Sequence, residues 1–220
     1  MVQAVFFDFD GVVLETADIK TEAFGELYRD HGPDMEARVR AYHLQHGGVS
    51  RFFKIRLFER EFLGRPADEA HEAALAQRFA DLVVDKVLAA PPLPGAIECL
   101  EQLAGRLPLF VVSGTPHDEL RHICITRDLA RFFTETHGAP RRKTDILEDI
   151  CARHRLDASR CVMVGDATTD HDAAHHLGMS FIGIVPPGEA SLFPAGTRER
   201  PDLLGLTELV LGEKAHMRQD

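Results

Sequence analysis

Short apolar runs alternate with amphipathic stretches along most of the chain. Apolar runs that end at small or polar residues predict fully buried strands over 4–7, 107–112, 161–164 and 181–185, with a weaker candidate over 132–136. Helical periodicity predicts intervening helices over 96–104, 118–127 and 144–154. This alternation predicts an α/β fold, a Rossmann-like parallel sheet with helices on both faces and right-handed crossovers.

The stretch from residue 16 to residue 89 breaks the alternation, because it carries helical patterns only. These patterns cover 17–30, 34–45, 50–63 and 67–88. In the third, an apolar stripe at helical spacing predicts a helix-packing face, formed by Phe52, Ile55, Phe58 and Phe62. We therefore predict an inserted α-helical cap domain of residues 15–89, and a core domain of residues 1–14 and 90–220. The proline-rich exit at 90–95 predicts a stiff connector.

Composition and charge limit the classes of partner. The chain has 220 residues, of which 45% are hydrophobic, enough for a packed core. Its net charge of −10 at pH 7 and its lack of a long basic tract argue against a nucleic acid as the main partner. A local anion site remains compatible with this charge, because the field at a site is set by the nearest groups.

The cysteines and the N-terminus bear on the compartment. Cys99, Cys124, Cys151 and Cys161 form no CxxC pair and no zinc-spaced cluster, which fits a reducing cytosol. No signal-peptide pattern is evident, and no apolar run approaches the roughly 20 residues of a membrane span. We predict a cytoplasmic protein without a membrane partner, and the sequence leaves its oligomeric state open.

Two carboxylates end the first predicted strand. Asp8 and Asp10 are two residues apart, so an extended backbone projects them to the same side. Carboxylates held this close repel one another unless a cation lies between them, and Mg²⁺ prefers such oxygen ligands. Gly11 permits the sharp turn that follows. The alternative is a solvated acidic turn, which the polar residues at the other strand ends disfavour.

Asp166 and Asp170 follow a later strand and are four residues apart. If a helix starts here, both lie on one face of it. Asp166 is then a candidate metal ligand, and Asp170 supports the metal site from behind or orients a lysine. The alternative is that both acids only complement the helix dipole.

Hydroxyls and basic residues complete the set of candidates. Ser113, Gly114 and Thr115 end an apolar strand, where hydroxyl and backbone N–H groups suit a phosphate; the alternative is a plain helix cap. Lys143 stands at the start of a predicted helix, where a cation opposes the helix dipole unless an anion is near. Arg141 and Arg142 precede it, and this reasoning does not decide which of the three points inward.

In this order, the motifs resemble the haloacid dehalogenase superfamily of phosphotransferases, in particular its members with an α-helical cap, such as β-phosphoglucomutase and phosphoglycolate phosphatase. The shared features are a DxDG strand end, a helical insertion directly after it, a Ser/Thr strand end, a lysine and a GDxxxD strand end. They span Asp8 to Asp170. An aspartate at position 10 argues against dehalogenation, because the dehalogenases of this family lack that acid.

The resemblance implies a role for each motif residue. Asp8 would attack phosphorus and form an aspartyl-phosphate, while Asp10 would act as general acid and then as general base. Ser113 and Lys143 would hold the phosphoryl oxygens. Mg²⁺ would lie between the Asp8 carboxylate, the Asp10 main-chain carbonyl, Asp166 and the phosphate.

Within the predicted cap, Gly48-Val49-Ser50-Arg51 is similar to the specificity loop of β-phosphoglucomutase-like members. Ser50 and Arg51 would bind a distal anionic or hydroxylated part of the substrate; the alternative is a helix cap with a surface arginine. Thr16 opens the insertion and is a further candidate for substrate contact. Lys54 flanks the loop and is a weaker one.

These observations predict a Mg²⁺-dependent phosphatase of a small phosphorylated metabolite, such as a sugar phosphate. One alternative is a sugar phosphomutase, which would use the same intermediate and is favoured by the Gly-Val-Ser-Arg loop. The other is a non-catalytic binding or scaffold protein. It would be expected to lack a catalytic carboxylate or the lysine, and this chain has both.

Overall fold

The structure is a computed structural model that describes residues 1–66 and 68–212. Within those residues, six parallel strands form one sheet in the order β3-β2-β1-β4-β5-β6. In chain order they are β1 Ala4–Phe7, β2 Leu109–Pro116, β3 Glu135–Ala139, β4 Cys161–Gly165, β5 Ser180–Ile184 and β6 Arg198–Arg200. The predicted α/β fold with a parallel sheet is confirmed.

In the described part of the chain, the α-helices fall into two groups. The first group is α1 Ala17–Tyr28, α2 Pro33–Gln45, α3 Arg51–Leu57 and α4 Glu69–Ala89. The second group is α5 Ala96–Leu103, α6 His117–Thr126, α7 Lys143–His154, α8 Thr168–Leu177 and α9 Leu206–Leu211. We call α1–α4 the cap helices. None of the helices within residues 1–66 and 68–212 has the length and apolar character needed to cross a membrane.

Alternating residues of β1 pack on opposite faces of the sheet, as strand geometry requires. Val5 and Phe7 join a buried layer with apolar residues of α5, α6 and α9. Ala4 and Phe6 join a second buried layer with those of α7 and α8. β1 is therefore covered on both faces and lies between β2 and β4, so its carboxyl end is flanked by theirs.

Aromatic rings fill the centre of the cap helices. The ring centroids of Phe24 and Phe79 lie 4.3 Å apart, and Phe58 packs edge-on against Phe24 and Tyr28 at 5.7 and 5.5 Å. Phe58 begins a π-helical turn, Phe58–Phe62, that continues α3. Such edge and offset contacts add to the hydrophobic contribution of the buried rings.

Three sequence predictions need correction. Phe52 was predicted to belong to the buried stripe but is 44% exposed, because the buried residues of α3 are Arg51, Lys54 and Ile55. Strand β3 begins at Glu135 and includes Gly138, whereas the prediction was 132–136. Strand β6 was not predicted, since its three residues are polar and lie at the sheet edge. Residues 67 and 213–220, at the start of the predicted fourth cap helix and the end of the predicted core domain, lie outside the described residues.

The two chain segments that enter and leave the cap helices lie side by side. The Glu15 N–H donates to the Pro91 carbonyl at 3.0 Å, and the Leu93 N–H donates to the Val13 carbonyl at 3.1 Å. Arg127, at the end of α6, also donates to the carbonyls of Leu88 and Ala90. Paired connectors of this kind form a narrow junction between the cap helices and the sheet.

Candidate active site

The carboxyl ends of β2, β1 and β4 meet at one edge of the sheet. Because these strands are adjacent and parallel, they bring Ser113, Asp8 and Asp166 to that edge. The start of α7 adds Lys143, and the start of α8 adds Asp170. The predicted site residues from the core are thereby gathered in one place.

Lys143 lies between two carboxylates. Its Nζ is 2.8 Å from Asp8 Oδ2 and 2.6 Å from Asp170 Oδ1, and all three side chains are buried. Burial alone would lower the pKa of Lys143, but the charges of Asp170 and Asp8 raise it overall, so the side chain is an ammonium. Of the three basic residues at 141–143, Lys143 is the one that points inward, whereas Arg141 and Arg142 pair with exposed acids of α7.

Three carboxylates form a cluster at this edge. Oxygen atoms of Asp8, Asp166 and Asp170 lie within 4.8 Å of one another. Burial first, and then the charges of Asp8 and Asp170, hold the pKa of Asp166 well above its usual range. Burial likewise raises the pKa of Asp170 to about 7, against the opposing effect of Lys143.

A divalent cation fits this donor set. Carboxylate oxygens are hard ligands, and a cation among them would remove the repulsion that disfavours the ionised form of Asp166. The Asp166 carboxylate lies directly against the Gly11 backbone, since a Cβ at Gly11 would be 2.1 Å from Asp166 Oδ2. Gly11 also has a φ of 74°, so both space and conformation favour glycine there.

Asp10 turns its side chain away from the acidic cluster. Thr16 Oγ1 donates to Asp10 Oδ1 at 2.7 Å, and Thr115 Oγ1 donates to Oδ2 at 2.6 Å. Lys20, on α1, donates to Asp10 Oδ2 at 2.5 Å and to Thr115 Oγ1 at 2.7 Å. Burial would raise the pKa of Asp10, but the charge and hydrogen bond of Lys20 and the two hydroxyls lower it overall, so Asp10 is ionised.

Ser113 and Gly114 lie between these two groups. Ser113 Oγ accepts from the Thr115 N–H at 3.1 Å and lies 3.4 Å from Asp10 Oδ2. Gly114 faces the cap, because a Cβ there would lie 2.5 Å from the Gly48 carbonyl oxygen. Thr16, Ser113, Gly114 and Thr115 therefore all lie at the same edge of the sheet as Asp8 and Asp10, and their roles toward a substrate stay predictions.

The loop before α3 is seated on the core. A Cβ at Gly48 would lie 2.0 Å from Thr169 Oγ1 and 3.1 Å from Lys143 Nζ. Ser50 Oγ and Thr169 Oγ1 are both buried, and no hydrogen-bond partner for either lies in the described part of the chain. Buried hydroxyls without a hydrogen-bond partner are uncommon in protein interiors, so the interface between the cap helices and the core offers polar groups to a ligand.

A buried histidine and lysine lie behind this loop. His43 Nδ1 and Lys54 Nζ share a hydrogen bond of 2.6 Å, and Lys54 also donates to the Gly47 carbonyl at 3.3 Å. Burial, followed by the charge of Lys54, lowers the pKa of His43 to about 2. Burial and then the charge of Lys20 likewise hold the pKa of Lys54 well below its usual range. His43 is therefore a neutral ring where it borders the cleft.

Arg51, at the start of α3, reaches across to the core. Its Nη2 lies 2.5 Å from Glu119 Oε1 on α6, and its guanidinium lies 4.7 Å from the centre of the Phe79 ring. Arg51 also lines the cleft that runs from Asp8 to the cap helices, together with Asp10, Ala17, Lys20, Phe24, His43, Gly47, Gly48, Val49, Phe79, Gly114, Thr115 and Asp166. That cleft has about 60 Å³ of free space in this arrangement.

Sequence reasoning missed Lys20, His43 and Glu119. The spacing of Thr16 and Lys20, one helical turn apart at the start of α1, is a signal that pointed to a shared face. No comparable local signal exists for His43 or Glu119, because their partners are 11 and 68 residues away in the chain.

The family comparison agrees with this geometry. A family model described as haloacid dehalogenase-like hydrolase matches residues 2–178. The chain belongs to the haloacid dehalogenase-like hydrolase family. The match includes every core residue of the site, from Asp8 to Asp170, and it confirms the resemblance and the assignment as a hydrolase.

Similar proteins within the family come from several bacteria. Validoxylamine A 7'-phosphate phosphatase of Streptomyces hygroscopicus subsp. limoneus is 26% identical over 208 residues, which cover 86% of this chain and 89% of that protein. The fold matches a predicted phosphoglycolate phosphatase of Haemophilus somnus, with a TM-score of 0.73, 17% identity and coverage of 94% and 97%. It also matches β-phosphoglucomutase of Clostridium difficile, with a TM-score of 0.70, 19% identity and coverage of 84% and 85%.

The seating of the cap loop predicts different outcomes at two neighbouring glycines. In Gly48→Ala, the added methyl group would overlap Thr169 Oγ1 and keep the loop off the core. We expect kcat/KM for hydrolysis to fall about 10²-fold, since a misplacement of about 1 Å is enough for such a loss.

Gly47→Ala is the matched control. Among residues 1–66 and 68–212, its Cβ would meet Ala167 Cβ alone, at the ordinary contact distance of 3.7 Å. We expect nearly unchanged kcat/KM in this variant and similar melting temperatures for both. Equal activity of the two variants would show that the loop does not need to seat on the core.

The neutral His43 predicts a pH dependence of stability. The pKa of this ring is about 2 in the folded chain and 6.5 in its unperturbed state. The unfolded chain therefore binds the extra proton below pH 6.5, and the folded state loses roughly 1.4 kcal/mol per pH unit from there downward. In urea unfolding, we expect wild type to lose about 2 kcal/mol more than His43→Gln between pH 7 and pH 5.

The exposed His122 provides the control for this measurement. His122→Gln should follow the wild-type pH dependence. If His43→Gln also follows it, His43 is accessible to protons in the folded protein.

Proposed function

We propose that this hydrolase is a Mg²⁺-dependent phosphatase of a small phosphorylated metabolite, acting through an aspartyl-phosphate on Asp8. The observation that carries the proposal is the convergence of Asp8, Lys143 and Asp166 at one sheet edge, with Asp10 beside them. Lys143 lies 2.8 Å from the Asp8 carboxylate, where it would also neutralise an incoming phosphoryl group. Ser113 and the backbone at Gly114 would hold the remaining phosphoryl oxygens.

The two steps follow from the positions of the two acids. In the first, an Asp8 oxygen bonds to phosphorus as the bond to the alcohol oxygen breaks, and Asp10 supplies the proton to that oxygen. In the second, water attacks phosphorus, the bond to Asp8 breaks, and Asp10 takes the proton from the water. The ionised state of Asp10 beside Lys20 suits this second step. The first step requires Asp10 to have bound a proton from solvent before the alcohol oxygen leaves, and the second step restores that proton to Asp10 from the attacking water.

Mg²⁺ is the cation we assign to the acidic cluster. Asp8 and Asp166 would hold it through their carboxylates, and Asp10 through its main-chain carbonyl. When bound, the ion would neutralise phosphoryl oxygens and relieve the repulsion among the carboxylates. Asp170, which pairs with Lys143, would keep that lysine in place.

Sugar phosphomutase activity is the second candidate. The Gly48-Val49-Ser50-Arg51 loop, which lines the same cleft, is the feature that favours it. A mutase would return the phosphoryl group to the substrate, whereas a phosphatase releases inorganic phosphate. Assaying free phosphate and the isomerised sugar phosphate in the same reaction separates the two.

A chromogenic phosphomonoester tests the proposed nucleophile and metal. We expect hydrolysis with Mg²⁺, loss of hydrolysis with EDTA, and a fall of roughly 10³-fold or more in kcat for Asp8→Asn. The exposed Asp18, on α1, is the control, and Asp18→Asn should keep wild-type kinetics. Full activity in Asp8→Asn would exclude Asp8 as the nucleophile.

We also propose that residues 15–89 are a mobile cap domain, hinged at the paired connectors near Val13 and Pro91. About 60 Å³ of free space admits only a few water molecules, so a substrate needs the cleft to open. The seated Gly48 loop and the Arg51–Glu119 pair both span the interface that would part.

A short crosslink tests this motion. Cysteines introduced at Arg51 and Glu119 can be joined by a bifunctional maleimide. The four native cysteines are buried, so the reagent is expected to react at the two introduced positions. We expect turnover of the double-cysteine variant to fall when the crosslink is made, and to return to its value before crosslinking when a cleavable linker between the two maleimides is cut. Undiminished turnover in the crosslinked protein would rule out the opening.

A further inference from the structure

Each cation that lines the cleft has a carboxylate partner. Lys20 pairs with Asp10, which belongs to the proposed phosphoryl chemistry. Arg51 pairs with Glu119, which does not. The proposed reaction at Asp8 therefore does not explain why the Glu119 carboxylate lies beside Arg51.

The Arg51–Glu119 pair joins the two parts of the chain in a nearly dry place. Arg51 belongs to the cap helices and Glu119 to α6, which directly follows β2, the strand that carries Ser113. The two side chains are 5% and 15% exposed, and their nitrogen and oxygen are 2.5 Å apart. Charges buried this well interact strongly, and neither is easily left without its partner.

This pairing changes what Arg51 offers to a substrate. A free guanidinium on the cleft wall would attract a second anionic group, such as another phosphate or a carboxylate. Here, such a group would meet the carboxylate of Glu119 as well, or would have to displace it and leave it buried. Both outcomes disfavour an anion, because like charges repel and a buried unpaired charge is costly.

Apart from Lys20, which pairs with Asp10, the other side chains on the cap side of the cleft are uncharged. Phe24, Phe79 and Val49 present apolar surface, and His43 is a neutral ring. Such a wall accommodates carbon-bound hydrogens and hydroxyls of an alcohol, with no cation left over for a further negative charge.

We propose that Glu119 determines substrate specificity, by neutralising Arg51 and so restricting the enzyme to phosphomonoesters whose alcohol portion is uncharged. This inference rests on the proposed phosphatase function. It also assigns the Gly-Val-Ser-Arg loop a role different from binding a distal phosphate.

A matched pair of substrates tests the proposal. One is 4-nitrophenyl phosphate, and the other is the phosphate ester of 5-hydroxy-2-nitrobenzoate, which adds a carboxylate to the same ring. We expect wild type to prefer the first. In Glu119→Gln, the ratio of the two kcat/KM values should move about tenfold toward the carboxylated ester, because Arg51 is released.

Three further variants separate charge from structure. Glu119→Asp keeps the carboxylate and should keep a ratio close to that of wild type. Arg51→Gln leaves Glu119 unpaired and should move the ratio about tenfold the other way. The double variant Arg51→Gln/Glu119→Gln has neither charge and should return near the wild-type ratio. An unchanged ratio in Glu119→Gln, or in Arg51→Gln if Glu119→Gln does not fold, overturns the proposal, as does a wild-type preference for the carboxylated ester.

Equilibrium binding keeps this test independent of the proposed chemistry. Dissociation constants of the two esters for Asp8→Asn, with and without Glu119→Gln, should show the same shift in ratio. If wild type released no phosphate, the phosphatase proposal would fail, and the binding ratio would still decide the role of Glu119.

Discussion

The site depends on one electrostatic constraint: the ammonium of Lys143 lies between the carboxylates of Asp8 and Asp170, in a place with almost no water. Three carboxylates whose oxygens lie within 4.8 Å cannot all be ionised there without positive charge among them. Lys143 supplies part of that charge from the first residue of α7. Burial and the negative charge that Lys143 leaves uncompensated raise the pKa of Asp166, and they make the cluster suitable for a divalent cation.

The sheet order explains why this constraint can be met. β1 is central and its neighbours are β2 and β4, so the loops after three strands that are far apart in the chain converge at one place. The helices behind them are apolar on their inner faces, and they hold Lys143 and Asp170 at fixed depth. The hydrophobic stabilisation of the two buried layers thus offsets the electrostatic repulsion between the carboxylates that the fold brings together.

The core half of the site could be predicted from the sequence because its signals are local. The apolar run that ends in Asp8-Phe9-Asp10-Gly11 indicates both a buried strand and a candidate acidic site at its carboxyl end, and the same holds for the run that ends in Gly165-Asp166. The cap half could not be predicted to the same depth. Lys20 and Glu119 acquire their partners only when the cap helices pack on the core, and His43 meets Lys54 only through the packing of the cap helices on one another. The limits of β3 and the presence of β6 were missed for a related reason, because short polar edge strands are set by their neighbours.

Asp8 and Asp10 differ in whether the core or the cap helices hold their side chains. In the described part of the chain, Asp8 is held by core groups, namely Lys143 and the Phe9 N–H, rather than by the cap helices. Asp10 is held by Thr115 from the core and by Lys20 from α1, which is part of the cap helices. A shift of α1 would therefore change the charge beside Asp10 while leaving Asp8 in place. In the proposed mechanism, proton transfer at Asp10, unlike bond formation between Asp8 and phosphorus, would then be coupled to whether the cleft is closed.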